Sequence, residues 1–144
     1  MEHFYQNIHG WFNFENIYRE IAAKLKDGDH YVEVGAWKGT SAAFLATEIA
    51  NSGKKIQFDV VDTWLGSPEH QAGREWADQD AIDGRLFEVF TENMKPVEGF
   101  YKPLRMTSLE ASLLYEDNSL DFVLLDAAHD KINVSIDIKA WLPK

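Results

Sequence analysis

Glu33, Asp62, Asp126 and His129 are the residues of this chain whose types and surroundings could do chemistry. Glu33 lies in Tyr31-Val32-Glu33-Val34-Gly35-Ala36-Trp37-Lys38-Gly39-Thr40-Ser41, which reads as a buried strand, a glycine-bearing turn and the start of a helix. The residues of that turn, Gly35, Ala36, Trp37, Gly39, Thr40 and Ser41, are candidates to hold a ligand. Gly35 and Gly39 allow close backbone approach, and Thr40 or Ser41 is placed to cap the helix, whose first N–H groups are free. Asp62 closes a second strand, Lys55 to Val61 with Ile56, Phe58, Val60 and Val61 apolar, about 20 to 30 residues past the turn, where doubly wound folds hold a ribose diol. Thr63 and Trp64 follow it. Asp126 and His129 flank Ala127-Ala128 at the end of Leu120 to Leu125.

The ligand follows from charge and spacing. A dinucleotide site uses Gly-x-Gly-x-x-Gly, whereas here Gly35 and Gly39 enclose bulky Trp37 and Lys38. An acid such as Glu33 at the strand end repels a pyrophosphate and accepts from an ammonium group. S-adenosylmethionine, a sulfonium with an amino-acid tail, meets that requirement. Histidine is the side chain suited to take a proton near neutral pH, so His129 is the candidate base and Asp126 its orienter or a contact near the sulfonium. The alternative for the Asp126/His129 pair is a turn that caps the next helix. No complete metal set is visible, and zero cysteines exclude disulfides and thiolate sites.

The elements that must position these groups alternate. Asn16 to Lys26 carries Ile17, Ile21 and Leu25 at four-residue spacing, a helix with that face on the core. The first strand follows, then a helix from Ser41 to Asn51 with Phe44, Leu45 and Ile49 inward and Ser52-Gly53 as its stop. After the second strand, residues 65–80 are polar and read as a loop or lid, extending to about 95 as a possible insertion. Leu86, Phe87, Phe90 and Met94 share a helical face. Tyr101 to Met106 is a short edge strand despite Pro103, and Leu109, Leu113 and Leu114 a short helix. Leu120 to Leu125 is apolar enough for burial on both faces, and Ile132 to Leu142 is the last helix. This order predicts one α/β domain over residues 1–144, a Rossmann-like three-layer sandwich on a mainly parallel sheet, with ligands at the carboxyl ends of the strands.

The motifs resemble those of class I S-adenosylmethionine-dependent methyltransferases, in particular a bacterial and phage branch with Val-Glu-Val-Gly-x-x-x-Gly-x-Ser as first motif. Val61-Asp62-Thr63-Trp64-Leu65-Gly66-Ser67-Pro68-Glu69-His70 is similar to its second motif, and Leu120 to His129 with Val134 to Lys144 is similar to its fourth strand and following helix. The resemblance runs from about Gly10 to Lys144. It implies that Thr107 and Ser108, after the third strand, flank the adenine, although relatives often carry an acid where Thr107 stands. It also implies methyl transfer to a hydroxyl of a small molecule or sugar, with Glu33 near the donor's amino end and Asp62 on its ribose. The class usually continues through three more strands, so the sheet is expected to be shortened at its C-terminal side. The fourth strand then lies at an edge, covered by a homo-oligomer or a partner, or the chain is part of a larger protein.

Composition narrows the classes. With 14 basic and 24 acidic residues the formal charge is -10, the wrong sign for a nucleic-acid clamp. Asp126-Ala127-Ala128-His129 is also not the proline-rich motif of amino-group nucleic-acid methyltransferases. No apolar run is long enough for a membrane span, and a cytoplasmic protein without a leader is expected. Trp37 and Trp64 are candidates to stack on adenosine, Trp11, Phe12 and Phe14 to close over the cofactor, and Trp141 for the core. The competing readings are a degenerate or regulatory S-adenosylmethionine-binding module, and a nicotinamide-dependent oxidoreductase, which the missing third glycine and Glu33 disfavour.

Overall fold

The computed structural model describes residues 1–144. Four strands, β1 (His30–Val34), β2 (Gln57–Asp62), β3 (Lys102–Arg105) and β4 (Phe122–Leu125), form a fully parallel sheet in the order β3-β2-β1-β4. Helices α1 (Glu15–Lys24), α2 (Thr40–Ser52), α3 (Gln79–Ile82), α4 (Leu86–Met94), α5 (Ser108–Ser112) and α6 (Lys131–Trp141) supply the crossovers. The expected Rossmann-like α/β architecture is what the chain adopts.

Strand periodicity sorts β1 between two layers. Tyr31 points into a large core with Tyr18 and Ala22 of α1, the apolar side chains of α2, and Leu86, Phe90 and Met94 of α4. Val32 and Val34 point the other way, against Leu104, Ala111, Tyr115 and Trp141 beneath α5 and α6. Glu33, two residues from Tyr31, therefore faces α1 and α2. The alternation is what puts an acid inside the thicker of the two layers.

Three expectations are corrected by packing. In α1 the buried residues are Tyr18 and Ala22, with Leu25 just beyond, while Ile17 is exposed. Leu109, Leu113 and Leu114 are exposed, and Ala111 and Ser112 are the residues of α5 that reach the core. Strand β4 is not buried on both faces: all four of its residues are half-buried, because its outer edge has no neighbour.

Candidate functional site

The turn between β1 and α2 is shaped from below and from the side. Gly35 has φ +95, and a Cβ there would collide with the backbone carbonyl of Asp126, so the residue is glycine because β4 passes directly under the turn. Gly39, φ +93, would carry a Cβ 3.0 Å from the Phe90 ring. Both glycines are thus also required by the packing of the protein itself. Trp37 adopts φ 46, a left-handed conformation uncommon for a bulky residue. It is held there by Asp62, whose Oδ2 accepts the backbone N–H groups of Ala36 and Trp37, each at 2.9 Å; Oδ1 accepts that of Trp64 at 2.7 Å. Asp62 is thus first the organiser of the turn. A carboxylate has about four acceptor positions, which leaves room for a further donor such as a hydroxyl.

Gly39 is the N-cap of α2, and no side chain caps that helix, contrary to the expectation for Thr40 or Ser41. Thr40 and Ser41 are buried instead. Ser41 Oγ donates to Glu33 Oε1 at 2.5 Å. Glu33 is wholly buried, and its Oε2 has no partner, nor do the hydroxyls of Tyr18 and Tyr31 in the same layer. Burial, opposed by the Ser41 hydroxyl and reinforced by the charge of Asp126, pushes the Glu33 carboxyl up to about 8. Unpartnered buried acceptors are rare in native proteins, and this one lies at the strand end where a cationic group was expected. The donor set therefore fits a ligand with an ammonium end, and the uncapped start of α2 offers free N–H groups to an attached carboxylate.

A lid folds over the outer side of the turn. Lys38 is buried and bonds Asp78 Oδ2 and Asp80 Oδ2, both at 2.7 Å. Burial works against the charge of Asp78, but the Lys38 ammonium and the N–H groups of Ala81 and Asp80 outweigh it and hold the carboxyl below its usual range. Asp78 and Asp80 are the counter-ions of this lysine. Trp37 is stacked between Trp11, at 5.2 Å and 17°, and His70, at 5.4 Å and 18°, and Trp76 meets Trp11 edge-on. Trp64 is not an open stacking surface: it is 1% exposed, packs on Phe87 and Phe90, and donates its Nε1–H to the Trp37 carbonyl at 2.9 Å. Thr63 Oγ1 accepts the Leu65 N–H.

At the end of β4, Asp126 is half-buried and its carboxyl is raised by burial, partly offset by His129. His129 Nε2 lies 4.0 Å from Asp126 Oδ1, beyond hydrogen-bond distance, and its side chain is 75% exposed. The cap of α6 is Asp130, whose carboxylate accepts the N–H groups of Ile132 and Asn133, so the pair is not consumed by capping. Thr107 caps α5 in a reciprocal arrangement with Glu110. Ser108 donates to Asp137 at 2.6 Å and accepts from Trp141 Nε1 at 2.9 Å, which ties α5 to α6. Thr107 therefore stays at the strand-end rim, while the Ser108 hydroxyl is turned to the helices.

At the opposite, amino-terminal ends of the strands lies an open cavity of about 550 Å³. There Asp59 Oδ2 accepts from His30 Nε2 at 2.7 Å and from Tyr115 at 2.8 Å. Sequence spacing gives His30 no partner, because its partner is 29 residues away and becomes adjacent only through the parallel pairing of β1 with β2.

PH0851 shares the fold with a TM-score of 0.51 at 17% identity over 94% of this chain and 30% of its own. A cyclopropane-fatty-acyl-phospholipid synthase-like protein from Lactobacillus casei aligns with a TM-score of 0.43 at 17% identity over 77% of this chain and 37% of its own. The chain thus spans about a third of the length of either structure. No curated protein matches in sequence. A family model described as a methyltransferase domain matches residues 32–144, from the second residue of the Tyr31-Val32-Glu33-Val34-Gly35 strand end through β4 and α6. By that match over most of its length, the chain belongs to the methyltransferase-domain family.

Proposed function

We propose that this chain binds S-adenosylmethionine at the carboxyl ends of β1, β2 and β4 and serves methyl transfer to a hydroxyl of a small molecule or sugar. The observation that carries the reading is the convergence of Glu33, Asp62 and Asp126 at three strand ends around a glycine turn, with one buried carboxylate oxygen unpartnered. Phosphate has no counter-charge in this arrangement, since Lys38 is occupied by Asp78 and Asp80. A sulfonium and an ammonium both do.

When bound, S-adenosylmethionine supplies an electrophilic methyl group and leaves as a neutral thioether. The chain's own contribution is placement and proton management. Glu33 attracts the amino end from behind the turn, and Asp62 holds the turn while offering its remaining acceptor position to the ribose. Trp37 and the Thr107 rim border the nucleoside. Asp126 contributes negative charge beside the sulfonium. His129, with Nε2 toward Asp126, has Nδ1 to receive the acceptor's hydroxyl proton as the carbon–oxygen bond forms. The 4.0 Å gap closes to a hydrogen bond by a side-chain rotation, because the exposed imidazole is unrestrained.

That same exposure favours a second reading, a donor-binding module without transferase activity. Calorimetric titration with S-adenosylhomocysteine and with NAD tests the first step. Binding of the former alone supports the donor site, and binding of NAD alone overturns it. Turnover with a panel of hydroxylated acceptors then separates enzyme from module. We also propose that the open edge of β4 is covered by a second copy of the chain or by a partner.

A further inference from the structure

The acid behind the turn is not alone in lacking a partner. Tyr18 of α1, Tyr31 of β1 and Glu33 of β1 are each fully buried, and Tyr18 OH, Tyr31 OH and Glu33 Oε2 each close no hydrogen bond. The groups face one another: Tyr18 and Ser41 both act on Glu33, and Tyr31 acts on Tyr18. The Tyr18 hydroxyl beside the bare carboxyl oxygen, with the Tyr31 hydroxyl next to Tyr18 in turn, is set up for a carboxylate, yet a lone carboxylate in this apolar layer is unfavourable. The acid resolves the conflict by holding its proton, or, once a positive charge is brought to the turn, by giving it up.

We propose that Tyr18 and Tyr31 are positioning residues of the donor site: their hydroxyls complete a proton-coupled pocket around Glu33, which is a neutral acid in the unliganded protein and becomes a carboxylate when the donor's ammonium end settles at the turn, releasing one proton to the buffer. This rests on the donor reading above. The groups that face Glu33 are Tyr18 from α1, Tyr31 on β1, Ser41 from α2, Asp62 at the end of β2 and Asp126 at the end of β4. The two aspartates oppose ionisation and the Ser41 and Tyr18 hydroxyls favour it, so the balance is tipped from outside. Burial already places the carboxyl at about 8, above neutral pH, so the unliganded acid holds its proton. A cation in a poorly screened interior lowers it again. Tyr18 and Tyr31 both lie upstream of the family-matched residues 32–144, so the tyrosine side of the pocket is supplied by α1 and the start of β1.

The experiment is titration calorimetry with S-adenosylhomocysteine, which carries the ammonium but no sulfonium, in buffers of different ionisation enthalpy between pH 6 and 9. Close to one proton is released per ligand at pH 7, and the release fades as the pH passes about 8. Glu33→Gln releases none. Tyr18→Phe moves the fade to higher pH, because the carboxylate has lost a donor, and Tyr31→Phe moves it in the same direction by less, because Tyr31 acts on Glu33 through Tyr18; a purely structural role would leave its position unchanged. Binding without proton release at any pH, or release that persists in Glu33→Gln, overturns the proposal and leaves the donor site standing. Absence of binding removes both. Should a variant fail to fold, the wild-type release profile still decides the proton coupling.

Discussion

The carboxylate of Asp62 holds the backbone N–H of Trp37 at 2.9 Å and so fixes a tryptophan in left-handed conformation at the mouth of the site. One acid thereby links the end of β2 to the start of α2, and the same oxygen also takes the Ala36 N–H. A role in shaping the turn and a role toward a ribose are separable by experiment. Asp62→Ala is expected to destabilise the unliganded protein by about 1–3 kcal/mol, since donors used in pairs are left unmatched. Urea unfolding without ligand measures it. An unchanged midpoint would mean that the turn holds itself and Asp62 acts on ligand alone.

Glu33 makes the stability of the unliganded protein fall with rising pH across the neutral range. Its folded value of about 8 lies above the ordinary 4.5, so the folded state binds this proton more tightly than the unfolded one. The sign follows: stability falls as the pH rises from about 4.5 toward 8 and levels off above it. Glu33→Gln, which keeps an acceptor for Ser41 without a charge, removes that slope. Melting temperature against pH for the two proteins is the measurement, and a melting profile of equal slope in both would show that the carboxyl titrates normally.

Lys38 joins the turn to the lid. Removing it by Lys38→Met leaves Asp78 and Asp80 facing each other without their cation, both 2.7 Å from its ammonium in the intact protein. Arg85 still reaches Asp80, so part of the charge remains matched. Loosening of residues 65–85 by about 1–3 kcal/mol is expected, a value lowered for the lid acids' partial exposure. Faster hydrogen exchange confined to that segment is the readout; protection equal to wild type would assign the lid's order to the Trp11, Trp37 and His70 stack instead.

Gly35 tolerates no side chain. Its positive φ alone disfavours alanine, and the Cβ would meet the Asp126 carbonyl, which is backbone and cannot rotate away. Gly35→Ala is expected to lower stability by at least about 3 kcal/mol. Gly39→Ala is milder, because the Phe90 ring it meets can shift. Comparing the two variants by thermal melting checks the order; equal losses would show that conformation rather than collision sets the effect.

Much of this was readable before the fold was known, for identifiable reasons. The order of strands and helices is carried by periodicity and by glycines such as Gly53, which caps α2 in left-handed conformation as expected. Which face of a helix is inward was less legible. Ile17 and Tyr18 are adjacent, and the larger tyrosine takes the core position because Phe12, Phe14 and Phe44 surround it. Ser41 looks like a cap in sequence, but Glu33 competes for its hydroxyl from β1, a contact that exists only after α2 docks on the sheet. Trp64 resembles a stacking residue beside an acid, yet the helix that buries it, α4, begins only at Leu86. Strand-end acids were visible because strand ends are; their partners, being long-range, were not.

The edge of β4 carries the last prediction. Its residues Phe122–Leu125 are uncharged and half-buried, with one row of backbone groups unpaired. Beside it α6 exposes Ile132, Val134, Ile136 and Ile138 and buries only Asp137 and Trp141, the reverse of a helix facing water. A strand is the group that satisfies both the open ladder and the apolar flank, and a second copy offers one through its own β4, antiparallel across a two-fold axis. Light scattering at micromolar concentration is expected to give a mass above the 16.5 kDa of one chain. Val123→Pro, which blocks ladder pairing at the edge, together with Ile136→Lys, which charges the flank, should return the mass to a single chain. A wild-type protein that already runs at 16.5 kDa would show that no second copy covers the edge.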